Sequence, residues 1–400
     1  MRYLHITSAA QAEEELQKVG VTPSGIDAML PKMENLNLLL EGIECKVANI
    51  IKQEMLSIGG DVAVARGVVS CSIDKTDAII IGTLKQVRRL ADKIATQPFG
   101  LKNISEDINR LLVNVAKDIF TLKTPKRELV LGGRTLVMGI VNMTPDSFSD
   151  GGMFNRVEEA VQYVLKMEEN GADIIDIGGE SSRPGSDPVS PEDEMGRVIP
   201  LIRRLDGVLS VPISIDTTKA DVARAAIESG AEIVNDISAM RFDAKMAEFV
   251  AEYRVPVVLM HMRGEPKTMQ EGTLAYRSLM GEIAGFLRER IEEAQSSGID
   301  VENIIIDPGI GFGKSPSDNL VILRHLLELK ALGRPVMVGT SRKRFIGDIT
   351  GETRAEERIA GTAASVAASI MNGADIVRVH DVEFMKKLSS VADEINGLYV

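Results

Sequence analysis

The sequence predicts an α/β protein: a closed TIM (β/α)8 barrel over residues 128–400, preceded by a smaller mixed α/β N-terminal domain over residues 1–127. Three observations predict it. Eight short, continuously apolar segments alternate with amphipathic helical patterns after residue 128, as strands covered on both faces by helices must. The stretches NGADIIDIGG, SGAEIVNDIS and NGADIVRVHD form a weak internal repeat. Charge also changes along the chain: residues 1–127 carry 17 basic and 15 acidic side chains, net +2, against −14 for the remainder and −12 overall.

In the first region Ser8 is placed to cap a helix that Gly20 ends, and a second helical pattern covers about 34–56. GVVSCSI and DAIIIGT read as strands, two further helices follow, and GGDVAVARG reads as a structural loop. Nothing in residues 1–127 forms a constellation with evident chemistry, so the role of this domain stays open. TLKTPKRE, 121–128, is polar and breaks the periodicity, which puts the domain boundary there.

The barrel region begins with ELVLGGRTLVM, expected as a hairpin turning at Gly132 and Gly133. The eight strands then read TLVMGIV, DIIDIG, PISID, EIVNDI, PVVLMHM, NIIIDPG, PVMVGTS and IVRVH. Helical patterns such as RVEEAVQYVLKMEEN fill the intervals. In the repeat, Gly171, Gly230 and Gly373 are expected in the left-handed conformation that ends a helix and that glycine adopts at least cost. A doubly wound open sheet is the alternative to closure.

Composition narrows the function. A 44% hydrophobic, 26% charged chain is ordinary for a globular protein. No apolar run approaches the roughly 20 residues of a membrane span, and the acidic start MRYLHITSAAQAEEELQ is unlike a secretory signal, so a cytoplasmic protein is expected. The net charge disfavours nucleic acid, whose phosphates demand concentrated Lys and Arg. Cys45 and Cys71 share no metal-ligand spacing and read as buried thiols. PGIGFGKS has Pro308 where a phosphate loop needs its first glycine, GxGxxG is missing there, and neither G-x-S-x-G after a strand nor HExxH occurs.

In such a barrel, ligands bind where the strands end. Those ends carry Asn142, Glu180 to Arg183, Asp216, Asn235 with Asp236, His261, Asp307, Ser341 with Lys343, and Arg378 with His380. Each has a bland explanation singly: Asp216 as a helix cap, Asn235 as a turn brace, His261 as a core histidine. Eight distant segments delivering eight polar groups to one rim point to a site. Buried Asp216, Asp307 and Asn235 need donors, because an unpaired buried charge is costly. The cations Arg183, Lys343 and Arg378 need an anion. A flat heterocycle rich in N–H groups and bearing phosphate meets both demands.

The motifs GIVNMTPDSFSDGG, DIGGESSRPG, SIDT, NDIS, LMHMRGEPKTMQ, DPGIGFGKS, GTSRKRFIG and RVHDV, in this order over about 135–385, resemble those of the dihydropteroate synthases. The resemblance implies a transferase of folate biosynthesis. It would join 6-hydroxymethyl-7,8-dihydropterin diphosphate to p-aminobenzoate, release pyrophosphate, and be inhibited by sulfonamides competing with p-aminobenzoate. Asp307, Asn235 and Asp216 would hold the pterin edge, Met260 would line the pocket, Lys343 would meet the pterin's oxygen and ring nitrogen, and Arg378 would stack on its face. The resemblance further implies that the carbon–oxygen bond breaks before the amine attacks, with Asp216 stabilising the cation. Magnesium on Asn142, with Ser182, Arg183, His380 and Arg378, would neutralise the leaving diphosphate.

NMTPDSFSDGG and GGESSRPG would be two loops folding over the site; Asp146, Phe148, Arg183, Pro184, Phe312 and Ser341 would shape the p-aminobenzoate entrance. Ser182 stands where many members carry threonine, which retains the hydroxyl. A homodimer through outer helices is the implied assembly. Two alternatives share the pterin floor: a methyltransferase working between methyltetrahydrofolate and a corrinoid, and a non-catalytic pterin-binding protein. SRK at 341–343, RVH at 378–380 and SSRPG favour the synthase, because only that reaction has a diphosphate to grip.

Overall fold

The structure, a computed structural model, describes residues 1–400 other than 5, 7, 145–152, 182–187, 265–268, 270–274 and 398–400, and other than the side chains of 153–155. The chain divides into two compact units, Met1–Val113 and Asn114–Val400.

The first unit contains α1 (Ala9–Val19), α2 (Pro23–Met33), β1 (Asn35–Glu44), α3 (Cys45–Ser57), β2 (Asp61–Val64), β3 (Lys75–Thr83), α4 (Leu84–Ile94) and most of α5 (Leu101–Val115). Ser8 caps α1 and Gly20 ends it at φ 86°, as expected. The sheet is antiparallel with order β1-β3-β2. Four readings of this unit are corrected. The pattern over 34–56 is a strand followed by a helix, because NLNLLLEGIE pairs with β3 from Asn35↔Thr83 to Glu44↔Lys75, and tertiary pairing overrides a helix-compatible run. GVVSCSI is a series of turns, closed by the Ser72 N–H donating to Gly67 O at 3.0 Å. GGDVAVARG contributes the edge strand β2. Cys45 is buried as expected, but Cys71 is exposed.

The second unit opens with an antiparallel hairpin, β4 (Phe120–Lys123) and β5 (Glu128–Leu131). The hairpin therefore turns at 124–127, where Thr124 N–H donates to Arg127 O at 2.9 Å, and not at Gly132 and Gly133. The eight expected barrel strands all form: β6 (Leu136–Asn142), β7 (Ile174–Gly178), β8 (Ile213–Asp216), β9 (Ile233–Asp236), β10 (Val257–Met260), β11 (Ile304–Asp307), β12 (Met337–Val338) and β13 (Ile376–Val379). Their order is β11-β10-β9-β8-β7-β6-β13-β12, and the parallel bridge Ile306↔Val336 closes the circle. Around it run α6 (Met153–Glu169), α7 (Pro191–Leu205), α8 (Ala220–Glu228), α9 (Met246–Tyr253), α10 (Leu279–Ser296), α11 (Pro316–Arg324), α12 (Arg344–Thr350), α13 (Ile359–Met371) and α14 (Val382–Asn396). Gly171, Gly230 and Gly373 adopt the left-handed conformation, at φ 91°, 123° and 91°.

The period-two alternation of strands divides the barrel into layers. Leu136, Met138, Ile174, Ile233, Val258, Ile305, Met337 and Ile376 form one buried cluster with Phe120, Leu122 and Leu131 of the hairpin, so the barrel interior at the strands' amino ends is filled with hydrocarbon. Two residues further along their strands stand Asp176, Asn235, Met260, Asp307 and Arg378. The same alternation that builds the apolar floor thus places a polar layer directly above it.

Candidate active site

Register carries distant residues to one rim. Asn142 is paired with Gly178 across β6 and β7, Gly178 with Asp216, Asp216 with Asn235, and Met260 with Asp307. Asp307 is 5% exposed and Asn235 2%. Asp307 Oδ1 accepts the Gly309 N–H at 2.6 Å. Asn235 Nδ2 donates to Asp176 Oδ2 at 3.1 Å, which turns the amide oxygen away from that carboxylate.

Arg378 is the centre of the layer. Its Nε donates to Asp176 Oδ2 at 2.6 Å and its Nη2 to Asp216 Oδ2 at 2.6 Å. Burial opposes the guanidinium charge, but the two carboxylates outweigh it and raise the pKa above the ordinary arginine value. Burial, against the attraction of Arg378, pushes Asp216 up to about 7. Burial also raises Asp307, opposed chiefly by Lys343. Asp176 Oδ1 and Ser214 Oγ are buried without hydrogen-bond partners among the described residues. Buried polar atoms of this kind call for donors from a ligand or water.

Lys343 is half-buried; its Nζ donates to Ile310 O and lies 4.8 Å above the Phe312 ring. Burial draws its ammonium down to about 8. Between Ser341 and Lys343, Arg342 takes the left-handed conformation, φ 59°, and its Nε and Nη2 donate to Asp381 at 3.1 and 2.6 Å. That conformation costs a non-glycine residue about 1 kcal/mol, offset by the two-pronged ion pair. Ser341 Oγ lies 2.9 Å from His380 Nδ1, so the β12 and β13 ends are joined. Phe312 packs against Met260, Met262, Met269 and Ile237, an apolar wall beside the polar floor.

Arg183, Ser182, Pro184, Asp146 and Phe148 lie outside the described residues. The roots of the second loop are described: Glu180 Oε1 accepts the Val189 N–H at 3.2 Å, and Glu180 also pairs with Lys219, which in turn pairs with the fully buried Glu194. One bland explanation holds: His261 is a buried, neutral core histidine drawn down to about 2 by burial and by Lys314. Asn235 does not brace the turn, since its amide reaches Asp176; the neighbouring Asp236 does, accepting from Ser238 and Met240. Asp216 caps no helix; Asp243 takes that part by accepting the Ala220 N–H at 2.8 Å.

Sequence reasoning missed Asp176 and Lys314. The signal for Asp176 was present: an acid within an apolar strand, two residues before Gly178 and so on the same face. Lys314 is 2% exposed, inside the stretch set aside as a failed phosphate loop. Among the described residues no group of three His, Cys, Asp or Glu side chains is arranged to hold a metal, and no helix is long and apolar enough to cross a membrane.

The family model described as "Pterin binding enzyme" matches residues 138–380. The dihydropteroate synthase of Synechocystis sp. is 50% identical over 264 residues, 66% of this chain and 91% of that protein. A probable bifunctional folylpolyglutamate synthase/dihydropteroate synthase of Halobacterium salinarum is 40% identical over 377 residues; the match takes in 94% of this chain but 45% of that protein, and so extends into the N-terminal unit. Among solved structures, the Xanthomonas albilineans dihydropteroate synthase with 4-aminobenzoic acid is 46% identical with a TM-score of 0.65, over 69% of this chain and 98% of that one. With the family model spanning the whole polar layer and its rim, this chain belongs to the pterin binding enzymes and, among them, to the dihydropteroate synthases.

Proposed function

We propose that the barrel condenses 6-hydroxymethyl-7,8-dihydropterin diphosphate with p-aminobenzoate, giving 7,8-dihydropteroate and pyrophosphate. The observation that carries this reading is the convergence of Asp307, Asn235 and Asp216 on one layer around Arg378, which binds Asp216, attracts Asp307 and meets Asn235 through Asp176. Asp307 presents an acceptor for the paired N–H groups of a pterin edge, and the Asn235 amide oxygen a further acceptor. Arg378, held flat between two carboxylates, offers a planar cationic face for the ring.

Chemically, the bond between the pterin methylene carbon and the diphosphate oxygen breaks, the electron pair leaves with pyrophosphate, and the aniline nitrogen forms the new bond and loses a proton. Cationic character develops on the pterin. Asp216 is the carboxylate placed to stabilise it, the kind of preorganised electrostatic contribution that dominates many active sites. Arg378, His380, Ser182 and Arg183 are the groups assigned to the anionic side, and Lys343 to the pterin's oxygen and ring nitrogen. The Phe312 and methionine wall, with Ser341, Asp146, Phe148 and Pro184, is assigned to p-aminobenzoate. The methyl-transfer alternative gives no role to the cationic rim.

Magnesium is part of this proposal. Asn142 ends β6 half-buried at the rim, and a single amide oxygen suits an ion that takes most of its ligands from phosphate and water. When bound, the ion supplies charge neutralisation to the diphosphate. The proposal also places the enzyme in the cytoplasm as a homodimer, supported by exposed Met371, Phe384, Val391 and Ile395 on α13 and α14. The test is to incubate purified protein with both substrates and magnesium and seek dihydropteroate by mass spectrometry, with pyrophosphate measured in parallel. Pyrophosphate without pteroate, or neither, overturns the reading.

A further inference from the structure

Lys314 stands inside the barrel mouth with three hydrogen-bond partners around its Nζ. Nζ lies 2.9 Å from His261 Nδ1, 3.2 Å from His261 O and 3.1 Å from Phe312 O. As an ammonium, Nζ donates to all three when the His261 ring hydrogen sits on Nε2. The side chain spans two strand ends. His261 follows β10 and its N–H donates to Asp307 O at 2.9 Å, while Phe312 belongs to the turn after β11. In that turn Gly309 has φ 68°, and a Cβ there would lie 1.9 Å from His261 O. The turn can therefore approach His261 closely enough for Lys314 to bridge them, and Gly309 can still donate to Asp307.

We propose that Lys314 is a positioning residue of the pterin site: its buried ammonium locks the 309–313 turn against His261 and is a counter-charge that holds Asp307 in its acceptor form. The inference rests on the pterin reading above. Burial draws the Lys314 ammonium down to about 7, against the attraction of Asp307, so Lys314 carries its charge across the acid range; Asp307 in turn feels Lys343, Lys314 and Arg378, with His261 neutral beside them. Burial raises the pKa of Asp307, and the surrounding cations oppose that rise. Removing one cation lets the pKa climb further, so Asp307 takes up its proton, and loses its acceptor character, at a higher pH.

Lys314→Gln keeps two N–H donors for the two carbonyls and removes the charge; Lys314→Met removes both. Affinity for 6-hydroxymethyl-7,8-dihydropterin is measured by calorimetry between about pH 4.5 and 7.5, with thermal melts to confirm folding. Expected for Lys314→Gln is an acid limb of binding moved upward by about one pH unit, tenfold weaker binding within that window, a raised KM for the pterin diphosphate and a KM for p-aminobenzoate within about twofold. Asp307→Asn, whose side chain does not titrate, should show no such limb. If Lys314→Met fails to fold, Lys314→Gln still decides. Weaker binding with an unmoved limb would make Lys314 merely structural and overturn the inference. Unchanged affinity overturns it too. Absence of pterin binding by the unaltered protein removes instead the reading on which it stands.

Discussion

Arg378 Nη2 donates to Asp216 Oδ2 at 2.6 Å, and the one arginine of β13 thereby favours the ionised form of the carboxylate assigned to the reacting carbon, against its burial. Burial pushes Asp216 up to about 7 and Arg378 pulls against it. A carboxylate stabilises a cation only when ionised. At saturating substrates kcat should therefore fall as pH drops below about 7, and Arg378→Gln should move that limb to higher pH. A kcat profile flat from about pH 8 down to 5.5 would remove Asp216 from the catalytic step.

Asp307→Ala deletes the acceptor for the pterin edge. Losing a charged hydrogen-bond partner inside a closed site costs about 3–5 kcal/mol, so pterin affinity should drop by more than about a hundredfold. Calorimetry with the free pterin reads this directly, and unchanged affinity refutes the assignment.

Arg183→Ala should lower turnover more than pterin binding, because its assigned partner is the departing diphosphate. Kinetics with the pterin diphosphate and titrations with the diphosphate-free pterin separate the two effects. Equal losses would speak against a leaving-group role.

Chelation should reduce turnover and added magnesium restore it, while affinity for the diphosphate-free pterin stays within about twofold. Asn142→Ala should raise the magnesium concentration giving half-maximal rate. A variant indistinguishable from the parent in that titration would dissociate Asn142 from the ion.

Asp173, just before β7, accepts from Arg134 at 2.9 and 2.6 Å, from Lys386 at 2.9 Å and from the Val137 N–H at 2.8 Å. Burial acts to raise its pKa, but the paired cations prevail and hold it below the ordinary range. Its stabilising contribution is accordingly present above the unfolded pKa and lost as pH falls through the lower folded value. Asp173→Asn should destabilise the barrel by about 3 kcal/mol near neutrality, with the difference shrinking in acid. Urea unfolding at about pH 7 and pH 3 measures this, and a difference independent of pH would contradict the pairing.

The barrel was legible in the sequence because its two periodicities are local. A strand buried on both faces must be apolar along its length, and a covering helix must be amphipathic, whatever lies elsewhere. The glycine-ended helices were legible for the same reason. Residues 34–56 were not, because NLNLLLEGIE becomes a strand through partners some 40 residues away. Nor was the hairpin turn, since Glu128–Leu131 pairs backward with Phe120–Lys123.

Within the candidate site, listing what stands at each strand end named Asn142, Asp216, Asn235, Asp307, Lys343, Arg378 and His380. What each touches was beyond that list. The Arg378 pair with Asp176 spans 202 positions of chain and the Lys314 contact with His261 spans 53.

By itself, then, the sequence determined which residues are apolar, which turn, and which polar groups end the strands, since these follow from neighbours a few positions apart. Tertiary structure alone decided that Asp176 and Asp216 share one guanidinium, that Arg342 turns to Asp381 while Ser341 meets His380, and that Lys314 spans from His261 to Phe312. Ionisation depends on burial and on charges a few ångströms away, and the closing of the barrel is what sets both.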